Sequence, residues 1–72
     1  MKTTDFLKIE LLEHQSAIRK IALDFDNIVQ RLCKVGYKEQ DAIIQVETMK
    51  RELISRRDFL NQLIYKAEET EE

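Results

Sequence analysis

Apolar residues in the first half of the chain fall at Leu7, Leu11, Ile18, Ile21, Phe25, Ile28, Leu32 and Val35, in steps of three and four with one gap at His14. A side chain recurs on one face of a helix at that spacing, so the pattern predicts a long amphipathic helix with a heptad seam. Leu11, Ile18, Phe25 and Leu32 take one seam position, and Leu7, His14, Ile21, Ile28 and Val35 the other. Ala22 and Val29 widen the stripe. Thr4 is placed to cap the start, with Asp5 in the first turn facing the positive end of the helix dipole. The predicted span is 4–35, about 48 Å at 1.5 Å per residue.

The second half repeats the pattern. Ala42, Val46, Met49, Leu53, Leu60, Leu63 and Ala67 form a seam interrupted by Arg56, with Ile43 and Ile64 beside it. Glu47 and Arg51, and Glu52 and Arg56, sit one turn apart in the favourable order, each pair adding a few tenths of a kcal/mol. Glu39 and Asp41 fall in the first turn of a helix predicted over 38–68. The acids of the tail 69–72 stand at the wrong end of the dipole, so this tail is expected to fray.

Between the halves lies Gly36, the only glycine in a chain without proline. It fits the position just past a helix end, where the backbone turns left-handed and a Cβ clashes. Tyr37 can then fold back on Leu32 or Cys33. The competing reading is one unbroken helix, since the heptad phase runs on from Val35 to Glu39 and Ala42. That reading leaves Glu39 in the seam and Gly36 without a role. The fold class expected is therefore all-α, an antiparallel two-helix hairpin over 1–72 as a single domain.

Two helices side by side cover only one stripe each, and a core this small rarely suffices without disulfide, metal or oligomerisation. The apolar set is also wider than one seam. Ile9, Leu12 and Leu23 lie off the stripe in the first helix, and Ile44, Ile54 and Phe59 in the second. Pairing of hairpins into a bundle, most simply a homodimer, answers both points. Ile9, Leu12, Leu23, Ile44 and Phe59 then form a candidate apolar partner surface. Scattered exposed apolar residues are common, so no one of them requires a partner.

Polar residues interrupt the seam at few places. Folding about Gly36 brings His14 level with Leu60, one turn from Arg56 and Arg57, with Glu10 one turn away along the first helix. Glu10, His14, Arg56 and Arg57 are thus a candidate polar layer or partner contact. A polar layer that fixes register is the simpler use of such residues. Arginines reaching from the seam edge into water are simpler still. Lys50, Arg51, Arg56 and Arg57 cluster within two turns and are a candidate nucleic-acid contact. Glu47, Glu52 and Asp58 interleave with them, which more often marks a solvated, salt-bridged face.

Composition narrows the classes further. The chain has 72 residues, 43% hydrophobic and 36% charged, a mix that suits long helices and not disorder or an all-β domain. A net charge of −2 gives no overall attraction to nucleic acid or anionic lipid. The single Cys33 excludes an intrachain disulfide and reads as a small buried hydrophobe. One His and one Cys about five turns apart give no metal-ligand spacing, and Cys33 has no nearby base to activate it. No phosphate-binding glycine loop is present. The first residues carry acids inside their apolar stretch, unlike a signal peptide, and no apolar run approaches a membrane span. Neither cofactor nor membrane is expected, and the compartment expected is the cytoplasm.

In length and layout the chain resembles the Rop family of plasmid copy-number RNA-binding proteins, helical hairpins that dimerise into four-helix bundles. That resemblance implies an RNA- or DNA-binding bundle using Lys50, Arg51, Arg56 and Arg57. The outline is also similar to the small sporulation aspartyl-phosphatases, but Ser55-Arg56-Arg57-Asp58-Phe59 lacks their Ser-Gln-x-Leu-Asp signature and implies no activity here. The leading expectation is a non-enzymatic protein–protein interaction module: a small regulator, inhibitor, assembly chaperone or adaptor of the kind carried by phages and mobile elements.

Overall fold

A computed structural model describes residues 2–71, Glu71 by its backbone alone, and the described residues form three helices and no strand. The first, α1, runs Thr3–Leu23; the second, α2, Phe25–Lys34; the third, α3, Glu39–Glu71. The chain is all-α, as the periodicity predicts.

The start of α1 differs from the expectation. The amides of Asp5 and Phe6 donate to the Lys2 carbonyl at 3.0 and 3.3 Å, so the ladder opens at Lys2. Thr4 therefore lies inside the first turn, where it is buried, and Lys2 holds the capping position without a side-chain bond.

The single helix predicted over 4–35 is broken at Asp24. Its backbone sits at φ −103°, ψ 16°, between α1 and α2. Asp24 N–H still donates to the Lys20 carbonyl, and Ile28 N–H to the Asp24 carbonyl, so the chain bends without turning back. The stretch Asp24-Phe25-Asp26-Asn27 explains the position. Asp, Asn and Phe are all weak helix formers, and no strong one separates them. The bend also shifts the buried face. Val29 is buried, whereas Ala22, expected beside it on the stripe, is exposed.

At the end of α2, Gly36 has φ +114°. Tyr37 N–H donates to the Leu32 carbonyl and Gly36 N–H to the Cys33 carbonyl, both at 3.1 Å. That bond pair is a Schellman motif, and its left-handed residue is the glycine. Nothing lies within 4 Å of a Cβ built on Gly36, so the requirement is conformational and not steric crowding from neighbours. Val35, predicted in the seam, instead occupies the C-cap and is 74% exposed.

Past Gly36 the chain reverses, and α3 lies along both α1 and α2. Lys8 Nζ stands 3.4 Å from Glu68 Oε1, which sets α1 and α3 antiparallel with residue 22 roughly level with residue 54. The molecule is 51 × 16 × 16 Å, about half the ~108 Å of one continuous 72-residue helix. α3 continues to Glu71, past the predicted end at 68; Thr70 Oγ1 donates back to the Lys66 and Ala67 carbonyls. Of the tail expected to fray, Glu72 lies outside the described residues.

The core is concentrated towards the turn. Ile21, Val29, Ala42 and Val46 are buried together, with Phe25, Ile28, Leu32, Cys33, Ile43 and Leu53 packed on them. Ala42 and Val46 are fully buried. Towards the open end, Thr4 and Ile64 are buried, and the remaining contact is made by half-buried Leu7, Leu11, Ile18, Leu60, Leu63 and Ala67.

Candidate functional site

The inner face of α3 follows the predicted seam at Ala42, Val46, Leu53, Leu60, Leu63 and Ala67 and departs from it by one position at two places. Lys50 and Arg57 are half-buried, while Met49 and Arg56 are exposed. Steps of three and four from Val46 reach Leu53 through either Met49 or Lys50, and both routes obey helical spacing. Lys and Arg can take the inner route because their aliphatic stems lie on apolar surface while the charge reaches water.

Of the expected polar layer, Glu10, His14 and Arg57 are half-buried and Arg56 is exposed. His14 is half-buried, and its Nδ1 donates to the Glu10 carbonyl at 2.8 Å, since a carbonyl can only accept. Arg57 pairs with its neighbour Asp58, Nη2 to Oδ1 at 3.1 Å. Arg56 is on the outer surface. Among the described residues, His14 and Glu10 are joined through the Glu10 carbonyl, and no hydrogen bond or ion pair between side chains joins Glu10, His14, Arg56 and Arg57 to one another.

The members of the expected basic cluster border two grooves. Lys50 and Arg57 line a groove between α1 and α3 together with Gln15, Ile18, Arg19 and Ala22. Arg51 and Arg56 line a separate shallow groove on α3 with Thr48, Glu52 and Ser55. Arg19, itself exposed, therefore borders the same groove as Lys50 and Arg57, a placement the sequence does not signal because it depends on how α1 and α3 are aligned. A third groove is lined by Met49, Glu52, Leu53 and Arg56.

All five residues of the expected apolar surface, Ile9, Leu12, Leu23, Ile44 and Phe59, are exposed. Leu12 and Leu23 are about three turns apart on α1, and Ile44 and Phe59 about four turns apart on α3. Phe6, Val35, Tyr37, Met49 and Tyr65 are exposed too.

Cys33 is a half-buried free thiol packed against the core. No three His, Cys, Asp or Glu side chains among the described residues lie close enough to share a metal ion. No helix among them is long and apolar enough to cross a membrane. Comparison with protein-family models, curated proteins and solved structures gives no match.

Proposed function

We propose that this chain is a non-enzymatic protein–protein interaction module whose working form is a self-associated bundle of helical hairpins. One observation carries the reading. The chain exposes 5837 Å², whereas a folded monomer of this mass exposes roughly 4,700 Å². The excess, about 1,100 Å², is of the size each partner loses in a stable interface, about 800 Å². Among the described residues, ten large hydrophobic side chains are exposed while five hydrophobic residues are buried, so apolar side chains are available to such an interface.

Sedimentation equilibrium at micromolar concentration tests self-association: a dimer or larger species is expected, and a folded monomer throughout the range removes the reading. Partners beyond the chain itself are tested by affinity capture from the host with and without nuclease. A protein recovered stoichiometrically in both samples supports an interaction module.

A second reading rests on Arg19, Lys50 and Arg57 sharing one groove. Three converging cations suit phosphate oxygens, and a dimer doubles them, which favours an RNA- or DNA-binding bundle. Its mark is recovery of nucleic acid that falls steeply between about 50 and 200 mM salt. Loss of that recovery in an Arg19→Glu, Arg57→Glu variant places the contact in this groove.

A further inference from the structure

Beside the face that α1 covers, α3 carries a second stripe: Met49, Glu52, Arg56 and Phe59, at steps of three, four and three. Met49 is 45% exposed and Phe59 59% exposed. Met49, Glu52 and Arg56 border one groove, distinct from the groove that holds Lys50 and Arg57. The stripe has a symmetry of its own. Reversed end for end about residue 54, Met49 falls on Phe59 and Glu52 falls on Arg56.

We infer that this stripe is the contact for a second copy of the chain, with α3 packed antiparallel on α3 about a two-fold axis beside residue 54. The inference rests on the self-association proposed above and specifies its surface. A two-fold interface uses the same patch on both subunits, so the patch must complement itself when reversed. This one does so in charge and in shape. Glu52 meets Arg56 of the second copy twice, and Met49 meets Phe59 twice. Parallel pairing in register would set Glu52 against Glu52 and Arg56 against Arg56, and like charges oppose that arrangement.

The other helices agree with the same axis. Lys8 and Glu68 place residue 22 level with residue 54. Reversal about residue 22 sets Glu13 opposite Arg31 and Ile9 opposite Val35 of the second copy. Val35, 74% exposed in the single chain, gains an apolar neighbour. A four-helix bundle results, with α1 and α2 packed on their own copies as α3 is on its own.

The test is a charge swap at two exposed positions, where neither change disturbs the core. Glu52→Arg and Arg56→Glu, each alone, place like charges opposite each other and are expected to weaken dimerisation at least tenfold by sedimentation velocity. An equimolar mixture of the two variants restores both pairs and is expected to form a heterodimer; the Glu52→Arg, Arg56→Glu double variant is expected to form a homodimer again. Circular dichroism checks that each variant keeps its helix content. If both single variants dimerise like the unaltered chain, or the mixture fails to associate, this surface and register are wrong while self-association stands. An unaltered chain that stays monomeric overturns both.

Discussion

Gly36 connects sequence to fold most directly. Its φ of +114° is a conformation that an L-residue with a Cβ avoids, and no neighbouring atom crowds the site. The strain of a substitution is therefore purely local. Gly36→Ala is expected to cost about 1–2 kcal/mol, read as a lower urea midpoint with an unchanged slope. A D-alanine introduced at the same position by peptide ligation accepts the left-handed backbone and is expected to recover most of that loss. Equal destabilisation by both enantiomers would show that the turn is limited by something other than backbone handedness. Gly36 was legible because capping chemistry lies within six consecutive residues. Arg57 was legible only in part: the seam edge was its expected place, but which of Arg56 and Arg57 lies inward depends on α1.

At the scale of elements, α3 shows why periodicity stops short of register. Its apolar positions support two overlapping stripes, one through Lys50 and Arg57 and one through Met49 and Arg56. The structure gives the first to α1. A sequence reading prefers the second, because Met49 is apolar and Lys50 is not. The resulting core is uneven, and substitutions should expose that. Val46→Ala removes part of a fully buried side chain in the cluster near the turn and is expected to cost about 1.5–3 kcal/mol. Leu23→Ala, at a 78% exposed position, is expected to change stability by less than about 0.5 kcal/mol. Comparable losses at both sites in thermal melts would mean that Leu23 is covered in solution. The bend at Asp24 has a test of its own. Asp is a poor helix former relative to Ala, so Asp24→Ala is expected to raise stability by about 0.5 kcal/mol if the bend only reflects weak propensity. A clear loss of stability would show that the bend is needed to lay α2 against Ala42 and Val46. The break itself was readable in principle from four weak helix formers in a row, but the apolar spacing runs through it unbroken and masks it.

For the whole molecule, the governing fact is how little of the chain is inside. A rod of 51 × 16 × 16 Å has a high ratio of surface to volume, and the fully buried side chains stand near one end. The open end is joined by half-buried leucines and by a Lys8–Glu68 pair whose side chains are about half exposed, and such pairs contribute little. An isolated helical chain of this size is close to the limit of independent stability. If a second copy covers its exposed apolar edges, as proposed, association is part of the folding equilibrium. Where the folded state is a dimer and the unfolded state is not, mass action makes stability depend on concentration. Each tenfold rise in protein adds about 1.4 kcal/mol per dimer. Spread over the unfolding entropy of two such chains, that raises the melting midpoint by about 4–5 °C. Melts followed by circular dichroism from about 2 to 200 μM should therefore shift upward by about 9 °C. A midpoint that stays constant across that range means that the single hairpin carries its own stability. In that case the apolar residues on its surface have to be explained by something other than self-association.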